Sequence, residues 1–223
     1  MVPRRVARGD LLRKGKVKEV YEISDTELEF LFTDQISVFD KVIPSLVPYK
    51  GETLCRTSAH WLQMAEDLGV KTHFHRVVDG DRMRVRRVQV ITDYAKLGLQ
   101  TRNYLIPIEV IARYYVAGSL YDRIREGRIA PESLGFPRGR MPKYGDPLPQ
   151  PFPETTTKLE KVDREITADE AIKISGLTKA EYDELLETVL RIDERLNDEV
   201  RKRGLIHVDG KKEFAMDPDR RLM

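Results

Sequence analysis

Four short segments hold residues whose types and spacing could do chemistry. In Val208-Asp209-Gly210-Lys211-Lys212-Glu213-Phe214, the residues Asp209, Lys211 and Glu213 recur at every second position. In a strand that period puts all three on one face. Two carboxylates and an ammonium on one face suit a magnesium–phosphate site, because hard cations take oxygen ligands. A salt-bridged strand is the plainer alternative.

Near the other end, Lys14, Lys16 and Lys18 alternate around Gly15. Read as a hairpin, they would share a face, and Gly15 would let backbone N–H groups approach a polyphosphate. The single glycine excludes a Walker A loop and a dinucleotide fingerprint. A solvated basic hairpin is the competing reading. The stretch Glu109 to Arg123 delivers Arg113 from an apolar run, and Gly118-Ser119 then opens a helix. Free N–H groups at a helix start and a forked guanidinium suit a phosphate monoester, while Ser119 as a plain N-cap is the alternative. Thr33 to Asp40 places polar residues directly after an apolar strand, where an ordinary Asx or Ser turn competes with a ligand contact. His73-x-His75 has no third ligand close in sequence, so a metal pair there is disfavoured.

The elements that position these residues mix both kinds of periodicity. Apolar residues around Lys14-Gly15-Lys16 predict a hairpin, and Leu28 to Phe32 predicts a third strand. Met83, Val85, Val88 and Val90 alternate with Arg82, Arg84, Arg86, Arg87 and Gln89, which predicts a strand with a solvated arginine face. Leu54, Ser58, Trp61, Leu62, Ala65 and Leu68 predict a helix ended by Gly69. Ile106 to Ile111 reads as a buried strand, a short helix follows Gly118, and the Pro/Gly-dense residues 131–153 read as a long loop. Thr167 with Glu170 and Thr178 with Glu181 open two helices, closed by Gly176 and Gly204. Leu205 to Asp209 reads as the last strand. The class is α+β or α/β, with a smaller sheet domain at 1–91, a larger mixed domain at 92–223, and a cleft between them.

Composition narrows the function. Lys+Arg at 39 nearly cancels Asp+Glu at 37, so a net charge of +2 gives no general pull toward nucleic acid or membrane. The lone Cys55 excludes an internal disulfide and fits a reducing cytoplasm. No apolar run approaches the roughly 20 residues that span a bilayer, and Met1 to Arg5 has no apolar segment behind it, so no signal peptide is expected. Asparagine occurs only at Asn103 and Asn197 amid abundant Glu, Lys and Arg, a thermophile-like bias.

The segments together resemble the phosphoribosylaminoimidazole-succinocarboxamide synthase (SAICAR synthetase) family. Gly15-Lys16, Lys18 and Tyr21 are similar to its ATP flap, and Asp34 to Asp40 to its Asp-x-Ile-Ser-Ala-Phe-Asp motif. Arg113 to Leu120 resembles its Arg-Asn-x-x-Ala-Gly-Ser signature, with Tyr114 where Asn is usual. Thr156-Thr157-Lys158-Leu159-Glu160 with Asp163, and Val208 to Phe214, resemble two more of its motifs. The likeness runs from Lys14 to Phe214 with the segments in family order.

That resemblance implies an ATP-dependent carbon–nitrogen ligase of purine biosynthesis. It would join L-aspartate to the carboxylate of an aminoimidazole ribotide through an acyl phosphate. It also implies an N-terminal antiparallel-sheet ATP-binding domain, a C-terminal α/β domain, and an active site in the cleft between them. Lys14, Gly15, Lys16 and Lys18 would cover the ATP phosphates. Glu213 would bind Mg²⁺, with Lys211 neutralising charge and Asp209 completing the catalytic set. Arg113 and Ser119 would hold the ribotide, with Asp40 close by and Arg123 assisting. Lys158 and Asp163 would lie on the L-aspartate side. The family continues past this motif into an Asp-Glu-x-x-x-Asp segment and a final helix, so the sequence ending at Met223 is expected to lack that C-terminal segment. A homodimer is compatible with this picture. The competing classes are a small-molecule kinase using the same flap and an RNA-binding module using Arg82 to Arg87; the latter has no aromatic platform within its stretch.

Overall fold

The computed structural model describes residues 9–38 and 41–223, which form two compact units meeting in sequence at Val88/Gln89. Asp40 and the Met1–Arg5 segment lie outside the described residues.

In the first unit, β1 (Asp10–Lys14), β2 (Lys18–Glu22), β3 (Glu27–Phe32), β6 (Phe74–Asp79) and β7 (Arg82–Arg86) form one antiparallel sheet in the order β1-β2-β3-β7-β6. A separate hairpin pairs β4 (Gln35–Val38) with β5 (Lys41–Leu46). Helix α1 (Lys50–Asp67) follows and ends before Gly69, whose φ is +78°. Of the stripe predicted for it, Leu62 packs on the sheet and Leu54 is exposed; the packing face is Cys55, Ala59 and Leu62, against Met83, Val85, Leu28, Phe30, Phe32 and Phe74. Burial pushes the Cys55 thiol up to about 11, so the cysteine behaves as a small buried hydrophobe.

Two expectations fail here. The β1–β2 register pairs Lys14 with Glu19, whereas Lys18 pairs with Phe32. Residues 18 and 19 point to opposite faces of a strand, so Lys14 and Lys18 do not share one. The turn breaks the alternation that the spacing suggests. Lys14 lies 3.3 Å from Glu19, while the Lys18 ammonium stands 4.2 Å above the Phe30 ring. The arginine face of β7 is not solvated either. Arg84 is buried, and donates to Glu29 and Glu27 of β3 at 2.9 Å each. The strand also stops at Arg86, short of Val88 and Val90.

The second unit is built on an antiparallel sheet in the order β10-β9-β8-β11. Its strands are β8 (Tyr104–Tyr115), β9 (Pro147–Thr157), β10 (Glu165–Ile166) and β11 (Asp209–Met216). With every named pairing among the described residues antiparallel, the class is α+β. Even-numbered residues of β8 face the main core: Tyr104, Ile106, Ile108, Val110 and Ala112 are buried with Leu177, Tyr182, Leu185 and Val189. The last three belong to α4 (Lys179–Arg201), opened by the full Thr178/Glu181 capping box. Helix α3 (Ala168–Ser175) starts at Thr167 and closes on Gly176 at φ +66°. A Cβ there would stand 2.6 Å from the Gly98 nitrogen, so only glycine fits. Helix α2 (Gly118–Arg125) adds a second small core around Val116, Leu120, Ile124, Leu134 and Phe136.

The expected loop at 131–153 is partly a strand, because β9 begins at Pro147. Pro147 and Pro149 lie where the register with β8 is interrupted. Pro153 lies in the regular stretch of that register and Pro151 just past its end; both share parity with Thr157, so their missing N–H groups fall on one edge. Further along that edge, Thr157 N donates to Arg164 O, away from β8. Pro151 and Pro153 thus occupy the part of the edge that two-residue β10 leaves uncovered, where no ladder donor is required. The last strand begins at Asp209 instead of ending there, and Leu205 and Ile206 are exposed.

Candidate active site

The odd-numbered residues of β8 face away from α3 and α4, and their register partners carry the charges. Asp209 pairs with Arg113, Lys211 with Ile111, and Glu213 with Glu109. On the other side of β8, Glu154 pairs with Ile111 and Thr156 with Glu109. One sheet face therefore collects Glu109, Arg113, Glu154, Asp209, Lys211 and Glu213. The period-two spacing of Asp209, Lys211 and Glu213 does put them on a common face.

At one end of this face is a run of four alternating charges. Lys211 donates to Glu109; Lys158, just past β9, lies 3.0 Å from Glu109 and 2.7 Å from Glu213. Glu109 is buried, while Lys211 and Glu213 each keep close to half of their side chain exposed. Burial alone would raise the Glu109 carboxyl, but Lys211 and Lys158 hold it below its ordinary value. Burial would lower the Lys158 ammonium, but Glu213 and then Glu109 hold it above. Both groups stay charged at neutral pH.

At the other end, Arg113 is buried to 8% exposure. Its Nε donates to Glu154 Oε1 at 2.6 Å, its Nη2 lies 2.5 Å from the same oxygen, and Nη2 also donates to Ser119 Oγ at 3.2 Å. Ser119 is not an N-cap, because α2 is capped by Ala117 with no side-chain bond. Asp209 is half-exposed and 3.8 Å from Arg113. Arg123, from α2, bonds Glu154 and Glu165 at 2.6 Å each.

Of the residues singled out from sequence, Arg113, Ser119, Arg123, Lys158, Asp209, Lys211 and Glu213 come together in this unit. Asp163 stands exposed in the turn between β9 and β10. Lys14, Gly15, Lys16 and Lys18 form the end of the β1–β2 hairpin in the first unit, where Gly15 N donates to Lys18 O at 2.8 Å. Asp40 lies outside the described residues. Two carboxylates that organise the site, Glu109 and Glu154, were missed from sequence. A charged residue inside the apolar run of β8 was the available signal for Glu109; Glu154 had none beyond lying just ahead of Thr155.

Among the described residues no three His, Cys, Asp or Glu side chains gather as a cage for a metal ion. His75 Nδ1 instead lies 3.1 Å from Glu27, and burial pushes its neighbour His73 down to about 4. The donor set around Glu213 fits magnesium in another way. Mg²⁺ keeps several waters and is held by one or two carboxylates plus substrate phosphates, and Glu213 offers one partly exposed carboxylate, 2.7 Å from the Lys158 ammonium.

The SAICAR synthetase family model matches residues 11–223. A phosphoribosylaminoimidazole-succinocarboxamide synthase of Thermoplasma volcanium is 52% identical over 213 residues, which is 96% of this chain and 70% of that protein. The Thermoplasma acidophilum enzyme of the same name is 50% identical, over 94% of this chain and 69% of its own. Among solved structures, a SAICAR synthetase in complex with ADP superposes with a TM-score of 0.72 at 29% identity, covering 95% of this chain and 77% of that one. The Saccharomyces cerevisiae SAICAR synthase complexed with SAICAR gives 0.77 at 22% identity, over 96% and 71%, a likeness of fold. With the family model spanning all but the first ten residues and a synthase of the same family 52% identical over 96% of this chain, the chain belongs to the SAICAR synthetase family, the ATP-dependent ligases of purine biosynthesis.

Proposed function

We infer that this chain carries out the family's ligation in two steps, with the charged face of β8 and β11 as its reaction surface. A carboxylate is a poor electrophile at neutral pH. In the first step an oxygen of the ribotide carboxylate attacks the γ-phosphorus of ATP, ADP leaves, and an acyl phosphate forms. In the second step the amine of L-aspartate attacks the acyl carbon. Phosphate departs with the original carboxylate oxygen, the amine loses a proton, and an amide remains.

The protein's part is positioning and charge neutralisation. Lys211 and Lys158, oriented by Glu109, stabilise the negative charge that gathers on the transferring phosphoryl group. Lys158 and Asp163 lie on the L-aspartate side. Arg113 and Ser119 grip the ribotide phosphate, with Asp209 beside them. Lys14, Gly15, Lys16 and Lys18 cover the ATP phosphates, making residues 1–91 the nucleotide flap. Magnesium, held by Glu213 together with phosphate oxygens, would supply Lewis-acid neutralisation. The reaction belongs in the cytoplasm, in keeping with the free, buried thiol of Cys55.

The observation that carries this reading is the run Lys211–Glu109–Lys158–Glu213, two ammonium groups fixed on one buried carboxylate, with an accessible carboxylate held by the second of them. The two-step route is tested with ribotide labelled by oxygen-18 in its carboxylate. An acyl phosphate delivers one labelled oxygen into the released phosphate. Unlabelled phosphate would rule the route out.

A further inference from the structure

Arg123 is buried to 3% exposure, and both terminal nitrogens of its guanidinium are engaged within its own unit. Nη2 bonds Glu154 Oε2 and Nη1 bonds Glu165 Oε1, each at 2.6 Å. Its Nε is buried with no hydrogen-bond partner. Glu154 gives its other oxygen, Oε1, to Nε and Nη2 of Arg113. Four side chains therefore form one alternating row, Arg113–Glu154–Arg123–Glu165, running from β8 through β9 and α2 to β10.

The row has a direction. Two donors of Arg113 on a single carboxylate oxygen fix the plane of its guanidinium. A carboxylate held on one oxygen alone could still turn about its last side-chain bond; Arg123 on the second oxygen prevents that. A lysine would meet both carboxylates through one nitrogen, whereas the guanidinium gives each its own prong in a fixed plane. The Nη1 edge of Arg113 points toward Asp209, which at 3.8 Å is outside hydrogen-bond range. That edge is the one held ready for an incoming anion.

We propose that Arg123 is a positioning residue: it does not touch the ribotide but locks Glu154, which in turn orients Arg113 for the ribotide phosphate. This rests on the assignment of Arg113 to the ribotide made above. It departs from the expectation that Arg123 contacts the substrate.

A double-mutant cycle separates indirect action from contact, since residues that act through one another are non-additive. Ribotide affinity is measured by calorimetry on the full chain for wild type, Arg123→Gln, Arg113→Lys and the double variant. Arg123→Gln is expected to weaken ribotide binding about tenfold, leave ATP binding unchanged, and add less than about twofold in the Arg113→Lys background. Equal losses in both backgrounds, or no loss in the wild-type background, overturn the proposal. Should Arg123→Gln not fold, Glu165→Gln, which releases Nη1 at the exposed end of the row, goes through the same cycle. Its expected effect is about threefold, and additivity overturns the relay in the same way. A wild-type chain that does not bind the ribotide overturns the substrate assignment and the relay with it. Wild-type binding with additive losses overturns the relay alone.

Discussion

Glu109 and Glu213 are register partners on adjacent strands, and the Lys158 ammonium bridges their carboxylates, 3.0 Å from one and 2.7 Å from the other. Glu109 also holds Lys211. In the proposed mechanism, a cation held by Glu213 would leave Lys158 tethered by Glu109, with its charge available to the reacting anions.

Glu213→Gln should therefore slow turnover about 10²-fold, the usual cost of losing one preorganised electrostatic contact. Folding should be nearly untouched, because the side chain is 42% exposed and its change lies within the surface range of about 0.5 kcal/mol. ADP release across a magnesium titration checks the first point, and a thermal melt the second. Normal turnover at every magnesium concentration would remove Glu213 from the metal role.

Arg113→Ala should weaken ribotide binding by about 10- to 100-fold, corresponding to about 1.5–3 kcal/mol for charge-assisted hydrogen bonds. ATP affinity should hold. Calorimetry with each ligand separately is the check, and an unchanged ribotide isotherm contradicts the assignment.

On the opposite face of the sheet, Asp193 of α4 is fully buried and is bonded by Lys212 of β11. Lys212→Met leaves that carboxylate without its ammonium and should cost about 3 kcal/mol or more. Adding Asp193→Leu should restore much of the loss, because an apolar pair is tolerated where a lone buried charge is not. Denaturant melts of the single and double variants decide this; a double variant less stable than the single one would be the contrary result.

Acid should weaken the first unit through His73. Burial, then Lys18 and His75, lower its value from 6.5 to about 4. The unfolded chain takes up this proton more readily than the folded one, so stability is full above pH 6.5 and falls as pH drops toward 4. At about 1.4 kcal/mol per pH unit the loss is on the order of 3 kcal/mol. His73→Phe should flatten that part of the stability–pH curve, and an undiminished slope between pH 6.5 and 4 would exclude His73 as its source.

What could be read from sequence was local. The Asp209–Lys211–Glu213 face was legible because a strand's period is short, and the Thr178–Glu181 cap because its signature spans one helical turn. The misreadings involve partners distant in sequence or turns that reset the period. Arg84 looked solvated because its glutamates lie 55 and 57 residues away. Glu109 read as part of a buried strand and Glu154 drew no reading, because Lys211 and Arg113 reach them across 102 and 41 residues. Lys14 and Lys18 seemed to share a face because the hairpin turn between them is invisible to an alternation rule. Strand β9 was hidden by prolines, whose alternation marks an open edge only once the neighbouring strands are known.

The most direct test is phosphate release from ATP with Mg²⁺, the carboxylated aminoimidazole ribotide and L-aspartate, leaving out one component at a time. Sustained release that needs every component, with amide product formed in step with ADP, is the expected result. ATP consumption that continues undiminished without L-aspartate would mark a phosphotransferase and contradict the ligase.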